Sequence, residues 1–595
     1  WDAAIAEWKE IIRAGEAGLA LQQRVEIFEE RMGLGRELFE KEQYVLAAEI
    51  SGITDRASFF RRPTSVRSLP DGSNLVVSFV GHKIAFIDPN GNMTRQLQGG
   101  IGGLDGPYDV VSLPDGGYLV SEFSADRVSR LNERGDRVAS FGTAGSAPGQ
   151  MLGPQFISLD DTGHVYVSDW GNRRVHKYTV DGEFLFSAGG ESPGYSGLER
   201  PVGVLWWQNA LWVTDAKKAV IEIFDASGNH LRTISNEAFI SPQSLAVYDD
   251  NTLLITDRNR ILLFNVSSSA VAIIKDGATS KISSASLDAN GNIVAVDHDL
   301  QTMVVFTPVS QLYAGMHITI QRIVADEFPL VHLEVTVEDR AGNPIVGLDK
   351  RNFVISDSMG ATQDIQMEFA GWRSSSVHSM MIAIPGAPNH RYADILGSLV
   401  EQQYGLRQEN DSFQIVVAAE NPRIEVDTRD AALAAGQTAR RLLSSGQSAG
   451  SLDIAIRYAA SELLQRRGRR HLIIASSAGE YLPEFQTYGI IELARYCQIN
   501  HINVSVLKLG QGEIDDRLQY LVEETGGTVH SDADPKGIAP LMQHGRQMPS
   551  GWYSLSYSSL ANNDFGRRYL PITVEAMLLQ RSGRDELGYF SPLEF

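Results

Sequence analysis

The sequence predicts a multidomain α+β protein, and three observations support that fold class. Residues 61–312 repeat a pattern of short apolar strands six times. From residue 376 onwards, apolar strands alternate with amphipathic helices, a pattern typical of a doubly wound α/β domain, in which helices cover both faces of a parallel sheet. The first 57 residues carry apolar residues at helical spacing and predict N-terminal α-hairpins.

Each unit of the repeat begins with a Pro or a small residue, and an Asp-, Asn- and Gly-rich turn then separates two apolar strands. A period of about 40–45 residues with strand-like alternation is typical of propeller blades, each a four-stranded antiparallel sheet. The sequence therefore predicts a six-bladed β-propeller over residues 58–312. The first five openers, which are 44, 47, 47 and 41 residues apart by subtraction, are Pro63, Pro107, Pro154, Pro201 and Pro242.

The third unit resembles a known repeat most closely, in the segment VSDWGNRRV that ends at Val175. This segment resembles the NHL repeat, and the resemblance implies a six-bladed propeller over roughly 250 residues. The first and sixth units are degenerate, with Ser78 and His298 near the position where the other units carry an acid.

In five of the six units, one carboxylate recurs at the turn after the second strand. Such a set could form a metal-binding or catalytic ring, or each acid could bind the backbone N–H groups of its own turn, as Asp commonly does. We expect the structural role. The five turn acids are Glu122, Asp169, Asp215, Asp257 and Asp297.

A phrase of spaced residues lies just before the α/β segment, and it comprises Asp339, Gly342, Pro344, Gly347, Leu348 and Phe353, with Asn352 in place of an acid. Together with the alternating strands and helices that follow, this phrase resembles the bacterial von Willebrand factor type A-like domains and the β-module that precedes them. The resemblance implies a type A-like α/β domain over 376–545. It also implies that 550–595 pairs with 331–371 to complete the β-module.

The type A resemblance implies a metal-ion-dependent adhesion site, whose oxygen ligands suit Mg²⁺. Both expected carboxylates are missing from this chain. We therefore expect neither a metal nor another cofactor in this domain. The positions that align with the family's metal ligands are Pro385, Ala387, Asn389, Ser451 and Ala478.

The N-terminal helices bear a weak resemblance to tetratricopeptide hairpins, carried by Ala3, Ala4, Trp8 and Tyr44. The alternative is a small helical segment that caps the propeller. The predicted domains are a helical segment (1–57), the propeller (58–312), a linker (313–330), the first part of the β-module (331–371), the type A-like domain (376–545) and the second part of the module (550–595).

Composition limits the possible partners. The chain has 595 residues and a net charge of −21, which disfavours binding to nucleic-acid phosphates. The only dense basic run, residues 466–470, is expected to be a solvated helix end. Cys497 is the single cysteine and is expected to be a buried core thiol. No apolar run is long enough to span a membrane.

These features favour a non-enzymatic protein–protein interaction scaffold that binds protein partners or self-assembles. We expect it in a bacterial periplasm or cell envelope, with a targeting segment preceding Trp1. The alternative is a lactonase-like or lyase-like enzyme at the propeller mouth. That enzyme would need convergent side chains, but the candidate histidines occupy unlike positions and are expected to be ordinary surface residues: His82, His164, His176 and His298.

Overall fold

A computed structural model describes most of the chain, in two compact units. One unit comprises Trp1–Ile318, Ile345–Ala361 and Pro571–Leu587, and the other comprises Thr319–Pro344, Thr362–Leu570 and Gly588–Phe595. The described residues are 2–14, 21, 24–25, 43–54, 57–113, 115–160, 162–276, 281–357, 359–362, 364–370, 377–385, 392–407, 411–427, 431–444, 450–466, 468–477, 482, 485–534, 537–547 and 550–593.

The first unit begins with a helix, and six four-stranded sheets follow, numbered here in the chain order of their first strands. The helix is α1 (Asp2–Arg13). Sheet 1 comprises β2 (Pro63–Ser68), β3 (Asn74–Ser78), β4 (Lys83–Ile87) and β5 (Met93–Leu97). Sheet 2 comprises β6 (Pro107–Ser112), β7 (Tyr118–Glu122), β8 (Arg127–Leu131) and β9 (Arg137–Phe141). Sheet 3 comprises β10 (Pro154–Leu159), β11 (His164–Asp169), β12 (Arg174–Thr179) and β13 (Phe184–Ala188).

Sheets 4 to 6 continue the same order. Sheet 4 comprises β14 (Pro201–Trp207), β15 (Ala210–Asp215), β16 (Val220–Phe224) and β17 (His230–Ser235). Sheet 5 comprises β18 (Pro242–Asp249), β19 (Thr252–Asp257), β20 (Arg260–Asn265) and β21 (Val271–Asp276). Sheet 6 comprises β22 (Ile282–Leu287), β23 (Ile293–Asp297), β24 (Thr302–Pro308) and β1 (Tyr44–Ser51). A short helix, α2 (Val309–Ala314), follows β24.

The first strands of the six sheets follow one another as neighbours. Strand β2 neighbours β6, and the series continues through β10, β14 and β18 to β22, which neighbours β2 again. Side chains of adjacent sheets interdigitate, so that Phe156 and Tyr166 of sheet 3 share a core with Val204 and Leu211 of sheet 4. This arrangement is propeller-like and buries the faces that a single sheet would leave exposed.

The strand turns follow the sequence signals. In sheet 3, β11 pairs antiparallel with β12, and His164 lies opposite Thr179. Asp181 and Gly182 make the next turn, in which Gly182 has φ +94° and donates to the Thr179 carbonyl at 2.9 Å. Thr179 N donates to the Glu183 carbonyl at 2.9 Å, so residues 180–182 form a three-residue turn. Gly182 supplies the positive φ of this turn, which a residue with a Cβ adopts only with strain.

The helical prediction is wrong for residues 44–51. Residues Tyr44–Ser51 form β1, which pairs antiparallel with β24 as the outer strand of sheet 6. The hydrogen-bonding partners of β1 lie in β24, far along the chain, and pairing with them overrides the helical propensity of the LAAE segment. Over Asp2–Arg13 the chain is helical, and much of the predicted second helix lies outside the described residues.

A small sheet completes the first unit. It has the order β28 (Gly360–Ala361), β27 (Phe353–Asp357), β37 (Tyr569–Leu578) and β38 (Arg581–Phe590). The segment before β27 lies against the turns of sheets 1 and 6. There Asn290 accepts from Val346 N at 2.8 Å and donates to its carbonyl at 3.1 Å, while Asn90 and Asn352 exchange hydrogen bonds of 2.9 and 2.8 Å.

The second unit contains a further four-stranded sheet. Its order is β25 (His317–Val324), β26 (Leu330–Glu338), β36 (Trp552–Ser558) and β29 (Gln366–Ala370). Strands from the two sides of residues 376–545 therefore pair, since β26 lies against β36 and β27 lies against β37. The pairing expected from the sequence is present, and it forms two sheets rather than one.

A six-stranded sheet forms the α/β part of the second unit, in the order β32-β31-β30-β33-β34-β35. All pairs are parallel except that of β31 with the edge strand β32. The strands are β30 (Val377–Ala383), β31 (Ser412–Val417), β32 (Arg423–Val426), β33 (Arg469–Ser477), β34 (Ile502–Leu509) and β35 (Val529–Ser531). The helices are α3 (Ala393–Leu406), α4 (Ala432–Ser444), α5 (Leu452–Leu464), α6 (Ile490–Ile499), α7 (Asp516–Thr525) and α8 (Ala539–Gln547).

Helices cover both faces of this sheet, because alternate residues of β30 enter different cores. Met380 and Ile382 pack with α5, α6 and α7, whereas Met381 and Ala383 pack with α3, α4 and α8. Cys497 of α6 is fully buried in the first of these cores, as predicted, and its burial raises the pKa of the thiol to about 12. Within the described residues, no helix is both long and apolar enough to cross a membrane.

Within the basic run at 466–470, Arg466 is exposed at the end of α5, as predicted, but Arg469 and Arg470 are not part of a solvated helix end. Arg469 and Arg470 begin β33, and both are buried. The Arg470 guanidinium lies 4.3 Å from the Trp552 ring and donates to the Asn500 carbonyl at 3.0 Å. These two arginines therefore belong to the protein interior rather than to an exposed basic surface.

Candidate functional site

The five turn acids occupy equivalent places in sheets 2 to 6. Each is the last residue of its sheet's second strand, and each is fully buried. Each lies opposite the first residue of the first strand, as Asp169 lies opposite Pro154. In sheet 1 the same place holds Ser78, opposite Pro63.

In sheets 2 to 5 the acid accepts a backbone N–H from the segment that leads into the first strand. These bonds join Asp105 N to Glu122 (2.6 Å), Leu152 N to Asp169 (2.8 Å), Glu199 N to Asp215 (2.6 Å) and Ile240 N to Asp257 (3.0 Å). In sheet 1 the Ser78 hydroxyl accepts from Arg61 N at 2.8 Å. Asp297 of sheet 6 instead accepts from its own turn, from Asp299 N at 3.0 Å and Leu300 N at 2.9 Å.

Arginine side chains donate further hydrogen bonds to three of these acids. Arg127 donates to Glu122 at 2.9 Å, Arg174 donates to Asp169 at 3.0 Å, and Arg260 donates to Asp257. Burial alone would raise the pKa of Glu122 and Asp169. The hydrogen bonds they accept, from Arg127 to Glu122 and from His176 and Leu152 to Asp169, hold both pKa values below the ordinary range.

Aromatic rings follow the second strand in the first three sheets. Phe79, Phe123 and Trp170 each come one residue after Ser78, Glu122 or Asp169, and the Phe123 ring centroid lies 6.0 Å from Phe79 and 6.2 Å from Trp170. The equivalent residues of sheets 4 to 6 are Ala216, Arg258 and His298.

Two rings from the first strands extend this row. Tyr108 of β6 lies 6.0 Å from Phe123 and 5.4 Å from Phe156 of β10, measured between ring centroids. We call Phe79, Tyr108, Phe123, Phe156 and Trp170 the aromatic cluster. Trp170 is 40% exposed, and so is Leu152, which Gly171 approaches closely. One sector of the six sheets therefore presents an accessible apolar surface.

A hydroxyl residue precedes the acid in sheets 2 to 5. In sheets 2, 4 and 5 this hydroxyl also joins neighbouring sheets, a role that the sequence alone did not reveal. The Ser121 hydroxyl accepts from Asp109 N in its own sheet and donates to the Gln155 carbonyl in the next. Thr214 repeats the pattern, accepting from Gly203 N at 2.7 Å and donating to the Gln243 carbonyl at 2.8 Å. The signal was visible as a Ser or Thr before the acid in VSE, VSD, VTD and ITD.

An ion pair between buried Asp109 and Arg67, whose side chain is 23% exposed, joins the first strands of sheets 1 to 3. Asp109 of β6 is fully buried and accepts from Arg67 Nε of β2 at 3.1 Å. Ile157 N of β10 donates to the same carboxylate at 3.0 Å, and Arg67 donates to the Ile157 carbonyl at 3.1 Å. This pair was not predictable from the repeat pattern, because neither residue recurs at its position in the other repeats.

Of the five aligned metal-ligand positions, the structure describes two. Pro385 is buried just after β30, and Ser451 precedes α5. Ala387, Asn389 and Ala478 lie outside the described residues. Ser451 contacts Asp453, whose other carboxylate oxygen accepts from Thr487 N and Tyr488 N at 2.7 Å each.

The Asp453 carboxylate thus joins the start of α5 to the segment before α6. Burial alone would raise its pKa, but the bonds from Ser451 and the two backbone N–H groups lower it below the ordinary range. The described residues contain no group of three or more His, Cys, Asp or Glu side chains placed to hold a metal ion.

The four candidate histidines are not alike. The His82 and His164 side chains are 54% and 32% exposed, and that of His298 is 19% exposed. The prediction that His176 is an ordinary surface residue is wrong, because His176 is fully buried in sheet 3. It lies there because its position in β12 faces the turn acid, as the equivalent Ser129 of β8 does.

A comparison with known protein families agrees with the propeller-like sheets. The NHL repeat matches residues 151–178, which lie in sheet 3, so the predicted repeat is confirmed there. A streptogramin B lyase structure is 12% identical, with a TM-score of 0.36, and the match covers 44% of this chain and 98% of that chain.

Two structures of virginiamycin B lyase from Staphylococcus aureus are also similar. One is a catalytically inactive form with quinupristin, 14% identical, with a TM-score of 0.35, covering 44% of this chain and 99% of that chain. The other, a selenomethionine-substituted form, is 14% identical, with a TM-score of 0.35, and the match covers 45% of this chain and 99% of that chain. No curated protein matches this chain. The comparisons therefore place an NHL repeat in sheet 3.

Proposed function

We propose that this protein is a non-enzymatic protein–protein interaction scaffold, and the exposed part of the aromatic cluster carries the proposal. Tyr and Trp dominate the few contacts that supply most of the binding energy at protein interfaces. Trp170, whose ring centroid lies 6.2 Å from that of Phe123, is 40% exposed. Leu152, whose carbonyl accepts from Gly171 N at 2.8 Å, is also 40% exposed. The partner is a folded protein that buries these two side chains.

The fixed backbone beneath the cluster supports this role. Three of these rings, Phe79, Phe123 and Trp170, directly follow a strand end that a buried residue ties to the entering segment, as Asp169 ties Leu152 N. Rings held by a rigid scaffold lose little conformational entropy on binding. The turn acids themselves act as structural ties in this proposal, since their oxygens bind backbone N–H groups and arginines.

The scaffold proposal includes two domain identities. Six four-stranded sheets whose first strands neighbour in series support a six-bladed NHL-type propeller. The order β32-β31-β30-β33-β34-β35, with helices on both faces, supports a von Willebrand type A-like domain. We propose that this domain works without metal. Titration of the full chain with Mg²⁺ in a calorimeter is then expected to give no saturable heat.

We further propose a periplasmic or cell-envelope location in a bacterium. The tetratricopeptide resemblance is retained as a proposal for α1 alone. Fractionation of the native cells with an antibody against the chain tests the location. Recovery of the protein with the cytoplasmic fraction would contradict it.

Affinity capture of the tagged full chain from its native envelope tests the scaffold role. The same capture is run with EDTA, with Trp170→Ala and with the control Leu231→Ala, whose side chain is 57% exposed on β17. The scaffold proposal expects one reproducible partner that survives EDTA and the control but is lost with Trp170→Ala. Bound metal together with hydrolysis of a lactone panel would favour the enzyme instead.

A further inference from the structure

Three side chains of sheet 3 form a continuous hydrogen-bonded chain from a buried acid to an exposed hydroxyl. His176 Nε2 lies 3.1 Å from Asp169 Oδ2 and 2.9 Å from the Gln150 carbonyl oxygen. His176 Nδ1 lies 3.0 Å from Ser187 Oγ. His176 is fully buried, whereas Ser187 is exposed on the outer strand β13.

The partners of His176 fix its tautomer. Both groups facing Nε2 are acceptors, a carboxylate and a carbonyl, so Nε2 carries the proton. Nδ1 then has a free lone pair, and the Ser187 hydroxyl donates to it. A hydroxyl bound to a base that a carboxylate orients is the arrangement that activates serine nucleophiles.

The surroundings hold the imidazole in place. The Phe184 ring lies edge-on to it at 5.3 Å between centroids, and Tyr178 lies 5.6 Å away. Arg174 and Asn172 bind the Asp169 oxygen that faces His176, at 3.0 and 2.7 Å. The His176 imidazole is therefore held on the side away from Ser187, and of the three linked side chains the Ser187 hydroxyl is the one that faces solvent.

Neighbouring sheets provide an internal comparison. Ser140 of β9 lies opposite Ser129 of β8, in the same cross-strand relationship as Ser187 and His176. Ser140 is also exposed. It is an equivalent hydroxyl on an equivalent strand, but its cross-strand neighbour is a serine instead of a base.

We propose that Ser187 is an activated nucleophile that accepts acyl or phosphonyl groups from small activated esters, with His176 as its general base and Asp169 orienting His176. Ser187 Oγ forms a bond to the carbonyl carbon or phosphorus, and its proton passes to His176 Nδ1. The bond to the leaving group breaks, and that group departs with the bonding electrons. This activity is independent of the scaffold role.

A fluorophosphonate probe tests the proposal, because its P–F bond breaks as the Ser–O–P bond forms. The full chain is treated with the probe, and the rate of modification at each serine is measured by peptide mass spectrometry. General-base assistance contributes roughly 10²–10⁴-fold, so Ser187 is expected to react at least about 100-fold faster than Ser140. Equal rates at the two serines would overturn the proposal.

Three variants separate the roles. Ser187→Ala is expected to lose the modification, and Ser140→Ala is expected to retain it. His176→Gln keeps a side-chain donor for Asp169 but removes the base, so Ser187 is expected to slow to the rate of Ser140. An unchanged Ser187 rate in a folded His176→Gln protein would also overturn the proposal. If that variant does not fold, the comparison of the two serines within the native chain decides.

Discussion

Ser283 and Pro63 are hydrogen-bonded across the join between the last and first sheets. The Ser283 hydroxyl of β22 lies 2.9 Å from the Pro63 carbonyl oxygen of β2, although 220 residues separate them in sequence. Both residues are buried. A single hydroxyl thus helps to close the series of six sheets, as Ser121 and Thr214 join earlier neighbours.

Removing this hydroxyl is expected to weaken the join. Ser283→Ala should lower the free energy of unfolding by about 1 kcal/mol, the usual net value of one buried hydrogen bond. Urea denaturation followed by tryptophan fluorescence measures the change. Ser140→Ala, at an exposed position, should leave the midpoint in place, and equal effects of the two substitutions would contradict the closing role of Ser283.

The contact between sheets 4 and 5 leaves no space for a side chain at Gly203. A Cβ there would lie 2.3 Å from the Gln243 carbonyl oxygen, a backbone atom. Gly203→Ala must push the two strands apart and should cost about 1–3 kcal/mol of stability, as overpacking does. Gly190→Ala is the control, since a Cβ there meets nothing within 4 Å. Thermal melts that cannot tell the two variants apart would refute this close approach.

Removing buried Asp109 from its pair with Arg67 should cost more stability than removing the exposed partner of another ion pair. Asp109→Ala leaves the Arg67 guanidinium without its carboxylate and is expected to cost about 3–5 kcal/mol. Asp181→Ala removes the exposed partner of Arg130, 2.7 Å away, and is expected to cost less than about 1 kcal/mol. Both values come from denaturant titration. A small loss for Asp109→Ala would mean that the pair is not sealed from water.

His471 should make the second unit sensitive to acid. Burial, with a smaller contribution from the charge of His544, lowers the pKa of His471 to about 3. An unfolded histidine titrates near 6.5, that is, at about its ordinary pKa. Above that pH neither state binds the proton. As pH falls from about 6.5 towards 3, the unfolded state binds it and the folded state does not, so stability is lost.

The matched variant is His471→Gln, which retains a donor for Ser505, 2.9 Å from His471 Nε2. Between about pH 6.5 and 4 its unfolding free energy should fall less steeply, by up to about 1.4 kcal/mol per pH unit. His82→Gln, at a half-exposed side chain, should keep the steeper native slope. Parallel slopes for the native chain and His471→Gln would exclude His471 as the source of acid sensitivity.

The repeat was predictable because its physical requirements recur at fixed spacing. Pro opens five first strands, and an acid at the strand end ties the entering segment, so Pro154 and Asp169 could both be recognised from the sequence. Gly182 was recognisable for the same reason, since its turn needs a positive φ. These features depend on neighbours within one unit of the repeat.

Features that depend on distant partners were not predictable. Strand β1 pairs with β24, and its apolar spacing alone fits a helix equally well. The location of His176 beside Asp169 required the register of β11 against β12. The aromatic cluster required the order of sheets 1 to 3, since Tyr108 belongs to a different strand from Phe123.

The outer strand of sheet 6 also sets a timing requirement for biosynthesis. Tyr44 pairs with Pro308, which is synthesised 264 residues later by subtraction. At about 5–20 residues per second, β1 must wait on the order of 10–50 s for its partner. Over that interval β1 is an unpaired strand carrying apolar residues such as Val45 and Ile50, the type of segment that associates with other chains. Newly made protein is therefore most exposed to misassembly before β24 appears, and protection of its N-terminal strand by a chaperone should raise the yield of folded chains.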